Sequence, residues 1–376
     1  MHISAFFDSG NIEVVRAEDP ADIRLRIRKD EGPDGFFQWF HYRVTGEAGE
    51  RRRMVIENAG EASYPKGWED YRACASYDRE TWFRVDTTYE NGQLIIDHVP
   101  ACDSTYYAYF APYGRDRHHD LIARCQSDPR VRVQVLGETV DGDAIDLVTI
   151  GGSDPNKLKI WAIARQHPGE TQAEFWMEGF LARALDPDDP VAKLVLSKAA
   201  LYVVPNMNPD GSRRGHLRTN AAGVNLNRVW AAPSLETSPE VYHVDAKMRS
   251  VGVDFSIDVH GDEGLPYNFI AGADAIPDVE QRQIDLREGF EAALRQANPD
   301  FQSEYGYPKA APGKANLSMC SAHIAATHKC LSMTLEMPFK DNANAPDEQF
   351  GWSPNRCRKL GASCLDAIYA VLDDLR

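Results

Sequence analysis

The 376-residue sequence lacks the features that mark several large classes of protein. It has no run of 18 apolar residues, so it offers no segment for a membrane-spanning helix. The opening residues MHISAFFDSGNIEVVRAED contain no basic stretch followed by an apolar one, so we expect no secretory leader. The seven cysteines are scattered without a CxxC pair, which favours reduced thiols over a disulfide framework. These absences predict a cytoplasmic protein that does not enter membranes.

Positive charge is also scarce. The chain has 41 Lys and Arg against 57 Asp and Glu, and its formal net charge is −16. Because an acidic surface repels phosphate backbones, we expect no nucleic-acid partner. No internal repeat or low-complexity tract interrupts the chain. Its length predicts two domains, and its 43% of hydrophobic residues can supply a sizeable core.

The first third of the chain has the pattern of β-structure and no long helical segment. Residues 23–30 alternate between apolar and charged side chains. Residues 81–99 form two apolar runs around Asn91-Gly92, a strong signal for a tight hairpin. Several short strands at regular spacing predict an all-β sandwich over residues 1–115.

The pattern changes near Pro112 and Gly114, where a helix is predicted over residues 117–126. Further on, the apolar runs KLKIWAIAR, ALYVVP, DFSIDVH and LSMTLEM alternate with helical segments, and an amphipathic helix closes the chain. Strands interspersed with helices predict an α/β domain with a largely buried sheet over residues 116–376.

Polar residues stand at the ends of three of these predicted strands. His167 and Glu170 follow the first of them in HPGE, His260 ends DFSIDVH, and Glu336 lies in MTLEMP. Two histidines and one glutamate, with a fourth position left for water, are a standard ligand set for catalytic zinc. Gly169 is expected to give the HPGE turn its conformational freedom. A single HxxE pair is weak support, because most such pairs bind nothing, but several clusters at strand ends strengthen the prediction.

A further polar segment lies between these clusters. It contains the turn Asn208-Pro-Asp-Gly211, then Arg218, then Asn227-Arg228. The turn alone is explained by local backbone geometry. A guanidinium beside an amide suits a carboxylate, although an Arg in this place could equally form a structural salt bridge.

The order HPGE, NPDG, GHLRTN, GVNLNRVW, DVHG and TLEMP resembles the zinc metallocarboxypeptidases, and most of all the bacterial members of the cytosolic carboxypeptidase subfamily. The resemblance covers essentially the whole chain. It implies a zinc carboxypeptidase-like α/β catalytic domain with a mixed central sheet, preceded by a small β-sandwich domain. It implies hydrolysis of the C-terminal peptide bond of peptides or proteins by zinc-activated water.

The resemblance also implies a role for each residue of the predicted site. One Zn²⁺ per chain would be bound by His167, Glu170 and His260. Glu336 would be the general base, and Arg218 would polarise the scissile carbonyl. The terminal carboxylate of the substrate would be held by Asn227 and Arg228.

Two positions differ from the pattern of the family. Many carboxypeptidases have an Asp where this chain has Asn225, and that Asp orients a zinc-binding histidine. The family often places a Tyr over the substrate, yet no Tyr occurs between Tyr307 and Glu336, so Tyr305 and Tyr307 both remain candidates.

The subfamily often removes C-terminal glutamate, which predicts a preference for acidic C-terminal residues and a basic group in the pocket. The candidates are Arg213, Arg214, Lys309, Lys314, His323, His328 and Lys329. One alternative function is a zinc amidohydrolase of small N-acyl amino acids, similar to the aspartoacylases, which share the fold, the ligand set and an Asn-Arg pair. Another is a binding module without activity, whose mark would be the loss of a zinc ligand or of the base.

Overall fold

The computed structural model describes residues 1–152 and 154–376. Residues 2–108 contain ten strands and two 3₁₀ turns, Ala59–Glu61 and Pro65–Trp68. The strands are β1 (His2–Ser4), β2 (Glu13–Arg16), β3 (Ile23–Arg26), β4 (His41–Thr45), β5 (Arg52–Ile56), β6 (Cys74–Ser76), β7 (Phe83–Arg84), β8 (Asp86–Glu90), β9 (Gln93–His98) and β10 (Ser104–Ala108). They form two five-stranded sheets, in the orders β1-β4-β10-β6-β7 and β2-β3-β5-β9-β8. The predicted all-β sandwich is confirmed.

The hairpin predicted at residues 81–99 is formed by β8 and β9, which pair antiparallel from Asp86–Asp97 to Glu90–Gln93. Its turn residues Asn91 and Gly92 have φ angles of 51° and 76°. Positive φ at both central positions is what a type I′ turn requires, so the Asn-Gly signal is explained by backbone geometry.

The rest of the chain forms an α/β domain. Its helices are α1 (Arg115–Gln126), α2 (Gln172–Ala184), α3 (Pro190–Lys198), α4 (Pro209–Arg214), α5 (Pro239–Val251), α6 (Gln281–Ala297), α7 (Cys320–His328) and α8 (Pro354–Val371). Its strands are β11 (Val131–Glu138), β12 (Ala144–Ile150), β13 (Leu158–Ala164), β14 (Ala199–Val204), β15 (Phe255–Asp262), β16 (Phe269–Gly272) and β17 (Leu331–Pro338). Short 3₁₀ turns cover Leu226–Arg228 and Leu372–Asp374.

The seven strands form one mixed sheet in the order β11-β12-β14-β13-β15-β17-β16. Strands β14, β13, β15 and β17 run parallel at its centre, and the outer strands pair antiparallel. In β13 the side chains alternate between two cores. Ile160 and Ala162 belong to the larger core, which includes residues of α2 and α8. Trp161 and Ile163 belong to a second core with residues of α5 and α7. Coverage of both faces explains why the central strands are apolar almost throughout.

The two parts of the chain are packed together. The ring of Tyr109 stacks on that of Phe339, with centroids 4.4 Å apart, and one continuous core includes residues of the sandwich and of the α/β domain. The helix predicted at 117–126 is present as α1 and begins two residues earlier. The domain boundary between residues 115 and 116 remains a proposal. Within the described residues, no helix is both long and apolar enough to cross a membrane.

Candidate active site

Three side chains that could bind a metal meet at the carboxyl ends of the central strands. His167 and Glu170 lie in the loop between β13 and α2, and His260 lies near the end of β15. The Nδ1 atoms of His167 and His260 each lie 2.7 Å from a different oxygen of Glu170, and 3.1 Å from each other. The three ligand atoms are therefore gathered within 4.8 Å, and all three residues are buried. Two imidazole nitrogens and a carboxylate oxygen fit an open zinc site.

The HPGE turn is fixed by close packing against neighbouring loops. Gly169 does not have a positive φ. A Cβ at this position would lie 2.9 Å from the carbonyl oxygen of Leu217. The glycine therefore provides space, and the expectation that it supplies conformational freedom is wrong. The NPDG turn supports the same region, because the amide of Asn208 donates to the Gln166 carbonyl at 3.0 Å. A Cβ at Gly211 would lie 2.5 Å from the Thr219 carbonyl oxygen.

The outer nitrogens of the two histidines have different partners. His167 Nε2 lies 3.1 Å from Asn225 Oδ1. His260 Nε2 lies 2.9 Å from Asp258 Oδ2, in a carboxylate that is 1% exposed. Both imidazoles can therefore donate from Nε2 and keep the Nδ1 lone pair for a metal.

Glu336 lies on β17 directly opposite His260 of β15 in the parallel register. Its side chain is buried, and its Oε2 has no hydrogen-bond partner in the described part of the chain. Burial raises the pKa of the Glu336 carboxyl well above its ordinary value, and the nearby charge of Glu170 raises it further, against the effect of His260. A divalent cation at the three ligands would oppose this rise, because it would be the largest local charge.

The N-terminal domain holds the loop that carries Arg218. The carboxylate of Asp30 accepts backbone N–H groups from Leu217 at 2.7 Å, Arg218 at 2.7 Å and Thr219 at 3.0 Å. The Arg218 guanidinium lies 4.0 Å from Glu170 and over the ring of Tyr64, 5.3 Å from its centroid. A largely buried cation therefore lies at the edge of the ligand cluster.

Asn227 and Arg228 lie in a 3₁₀ turn beside the ligands. The Oδ1 of Asn227 accepts the backbone N–H of Cys320 at 2.8 Å, which fixes the amide. The Arg228 guanidinium donates to the Asn227 carbonyl at 2.6 Å and forms no ion pair with any carboxylate of the described residues. Arg228 is exposed in the cavity and is free to bind an anion.

One cavity of about 650 Å³ is lined by all seven residues of the predicted site, which are His167, Glu170, Arg218, Asn227, Arg228, His260 and Glu336. The other lining residues include Tyr64, Lys66 and Glu263, which the sequence did not place in the site, and Tyr307, one of the two candidate tyrosines. Tyr64 and Lys66 come from the sandwich domain, and nothing in their local sequence indicates this role. Glu263 follows His260 in DVHGDE, so its position next to a predicted ligand was an available signal.

The structure distinguishes the two candidate tyrosines. The Tyr307 hydroxyl donates to Asp262 at 2.6 Å, and its ring lines the cavity. Tyr305 stacks on Tyr267, with centroids 4.6 Å apart, and is not among the lining residues.

The seven basic residues considered for an acidic pocket are not among those that line the cavity in the described structure. Arg213 and Arg214 pair with Asp141, and His323 lies 3.3 Å from Asp245. The Lys and Arg side chains that do line the cavity are Lys66, Arg218 and Arg228.

Comparison with known proteins identifies the family of the chain. A family model described as zinc carboxypeptidase matches residues 119–354, and one described as cytosolic carboxypeptidase N-terminal domain matches residues 3–110. The fold and site thus define a metallocarboxypeptidase, and the chain belongs to the zinc carboxypeptidase family.

Solved structures of bacterial metallo-carboxypeptidases superpose over the whole chain. The one from Burkholderia cenocepacia is 47% identical, covers 99% of both chains and has a TM-score of 0.96. The one from Pseudomonas aeruginosa, in complex with (2-guanidinoethylmercapto)succinic acid, is 43% identical, covers 100% of both chains and has a TM-score of 0.97. Human cytosolic carboxypeptidase 1 is 27% identical over 287 residues, which are 65% of this chain and 23% of that protein. The chain therefore spans about a quarter of that human relative.

Proposed function

We propose that the protein hydrolyses the C-terminal peptide bond of peptides or proteins with one zinc ion per chain, bound by His167, Glu170 and His260. The observation that carries the proposal is the cavity, in which this ligand set, a buried carboxyl and an unpaired guanidinium face the same space. When bound, zinc supplies a Lewis acid that lowers the pKa of water toward about 7.

The chain's own residues would complete the chemistry. Glu336 accepts the proton of the attacking water and returns it to the nitrogen of the leaving amine. Arg218 donates to the carbonyl oxygen as negative charge develops on it. The loss of a comparable donor costs roughly 3–4 kcal/mol of transition-state stabilisation.

Arg228, positioned by Asn227, would bind the terminal carboxylate of the substrate. The Arg228 guanidinium supports this role, because a cation that has no carboxylate partner among the described residues is available for an anionic ligand. The Pseudomonas relative was solved with a substituted succinic acid, so a protein of the same fold accommodates a dicarboxylate.

The preference for a C-terminal glutamate remains a prediction. Of the three Lys and Arg side chains in the cavity, two already have proposed roles, which leaves exposed Lys66 as the remaining candidate for a side-chain carboxylate. Matched peptides that end in Glu, Leu and Lys should be compared by kcat/KM, in the wild type and in Lys66→Met. Faster release of Leu or Lys from the wild type would contradict the preference.

A cytoplasmic site of action belongs to the same proposal. It is supported by six cysteines that are buried as free thiols. Peptide C-termini are the proposed partners, and the net charge of −16 disfavours nucleic acid.

The deciding experiment compares three substrates with the zinc-loaded protein: an N-blocked dipeptide, the same dipeptide with an amidated C-terminus, and an N-acyl amino acid. We expect rapid cleavage of the free dipeptide and a loss of about 10- to 100-fold in kcat/KM on amidation, because Arg228 would lose its partner. Preferential cleavage of the N-acyl amino acid would support the amidohydrolase alternative instead. Failure to bind zinc would support the binding module.

A further inference from the structure

The two histidines of the ligand cluster are held by chemically different partners, a neutral amide on His167 and a carboxylate on His260. We propose that Asp258 is the positioning residue for this metal site, and that it supplies through His260 the negative charge that Asn225 does not supply through His167. The inference rests on the proposed zinc-dependent function and concerns how the chain holds the ion.

The backbone places Asp258 where it can do this. Asp258 and His260 are two residues apart on β15, so their side chains lie on the same face of the sheet. The 2.9 Å contact between Asp258 Oδ2 and His260 Nε2 directs the other ring nitrogen toward Glu170.

A hydrogen-bond chain fixes the direction of this contact. The indole N–H of Trp230 can only donate, and it lies 2.8 Å from Gln166 Oε1. The amide NH₂ of Gln166 must therefore face Asp258, and it donates to Oδ2 at 2.6 Å. Asp258 Oδ2 then accepts from Gln166 and from Nε2 of His260, and the Nδ1 lone pair of His260 is left for the metal.

Charge gives a second argument. Asp258 is 1% exposed and forms no ion pair with a Lys or Arg of the described residues. A buried carboxylate without a cation is costly, so the fold must provide positive charge nearby. Glu170 already has the Arg218 guanidinium 4.0 Å away, whereas Asp258 has no Lys or Arg partner, so a divalent ion bound through His260 would supply the positive charge that Asp258 lacks.

The main test is zinc affinity, measured by competition with a chromophoric chelator. We expect Asp258→Asn to weaken zinc binding about 10- to 100-fold and to speed the release of zinc to the chelator, because the variant keeps the shape and loses the charge. Asp245→Asn is the matched control, since Asp245 is also buried beside a histidine, 3.3 Å from His323 Nε2, in a pair that does not line the cavity. This control should bind zinc like the wild type.

A double variant that moves the carboxylate from position 258 to position 225 distinguishes the effect of losing the charge from the effect of changing the side chain's shape. In the double variant Asn225→Asp/Asp258→Asn, the carboxylate faces His167 instead of His260. We expect this variant to recover at least half of the loss in log Kd for zinc that Asp258→Asn alone causes. An affinity of Asp258→Asn within threefold of wild type would overturn the inference, as would a double variant no better than the single one. If the wild type itself binds no zinc, both the proposed function and this inference fail.

A measurement on the zinc-loaded wild type does not depend on any variant folding. In ¹⁵N-histidine NMR spectra, both ligands should be coordinated through Nδ1, and the Nε2 proton of His260 should be more deshielded than that of His167, because its acceptor is charged. Equal shifts for the two protons, or coordination of His260 through Nε2, would overturn the inference.

Discussion

Glu336 is buried beside the ligand cluster, and its Oε2 has no hydrogen-bond partner within the described residues. This oxygen is therefore available to accept a proton from the attacking water of the proposed reaction. We expect Glu336→Gln to lower kcat by about 10²- to 10⁴-fold, since an amide of the same size cannot accept that proton. Zinc content should stay at the wild-type level, because Glu336 is not one of the three clustered ligands.

Two measurements check this prediction, turnover of the blocked dipeptide and metal analysis. Glu304→Gln, at an exposed position, is the control and should keep both. Activity of Glu336→Gln within tenfold of wild type would exclude it as the base.

At the level of residues, the sequence predicted seven of the side chains that line the cavity, but it missed others that line it, such as Tyr64 and Lys66, and residues behind it, such as Asp258. His167 and Glu170 belong to a short motif, and His260 and Glu336 end apolar runs, so each has a local signal. Asp258 also has a local position, two residues before His260, but its role depends on Gln166, which is 92 residues away in the chain. Such a contact becomes visible only when β13 and β15 are known to be neighbours.

A buried network of charged side chains connects helices α1 and α2 to the HPGE turn. His118 Nδ1 lies 2.6 Å from Glu174, which also accepts from Arg165 at 2.6 Å. Arg165 in turn donates to the Pro168 carbonyl at 3.1 Å, within the turn itself. Burial alone would lower the pKa of His118, but the attraction of Glu174 and Asp146 outweighs it and raises the pKa to about 9.

This raised pKa predicts a pH dependence of stability. The folded protein holds a proton on His118 that the unfolded chain, with a pKa near 6.5, releases. The stabilisation is therefore complete below about pH 6.5 and is lost as the pH rises through about 9. It amounts to at most about 3 kcal/mol.

Urea unfolding of wild type and His118→Asn at pH 6, 7.5 and 9.5 measures this contribution. The difference in the free energy of unfolding between the two proteins should shrink as the pH rises. His119→Asn, at the exposed neighbouring position, should show no such trend. A difference that stays constant over the three pH values would contradict the assignment of the charge to His118.

The loop of residues 217–219 is the second element whose position decides the site. Asp30 accepts three of its backbone N–H groups, and substitution by Asn would turn an NH₂ group toward donors. Each buried donor left unsatisfied costs about 1–3 kcal/mol. We expect Asp30→Asn to lower kcat/KM about 10- to 100-fold by displacing Arg218, with zinc content unchanged.

Steady-state kinetics and metal analysis test this, with Asp34→Asn, an exposed position in the same segment, as control. Full activity in Asp30→Asn would show that the loop keeps its position without the sandwich domain's carboxylate.

For the whole molecule, the strand patterns predicted an all-β part followed by an α/β part, and this fold class is confirmed, whereas the division into two domains that length suggested stays a prediction. They did not predict that the first domain forms part of the second domain's cavity. Tyr64 and Lys66 lie in a 3₁₀ turn region whose sequence has no polar motif, and Asp30 lies 187 residues from Leu217. Strand β16 was also missed, since it is four residues long and, within the described residues, pairs only with β17.

The interface between the two domains leads to a prediction about unfolding. The Arg84 guanidinium of the sandwich donates to the carbonyls of Phe339 at 2.8 Å, Phe350 at 3.2 Å and Trp352 at 3.1 Å, all in the α/β domain. Tyr109 stacks on Phe339 across the same boundary, and the apolar core is continuous through it. If either domain unfolded alone, these carbonyls would lose their donor and the apolar surface beneath them would be exposed to water. Both losses would destabilise the domain that remained folded.

We therefore expect one calorimetric transition, with equal calorimetric and van't Hoff enthalpies, for the zinc-free protein. Proteolysis in urea should give no stable fragment that ends near residue 112, because neither half persists alone.

Arg84→Met should lower the melting temperature by several degrees, since it leaves three carbonyls without their donor, whereas Arg51→Met, at a side chain that is 71% exposed, should leave it unchanged. Two separate transitions in the wild type, or a protease-resistant fragment beginning near residue 115, would contradict this expectation. Either result would show that the α/β domain folds without the sandwich domain that forms part of its cavity wall.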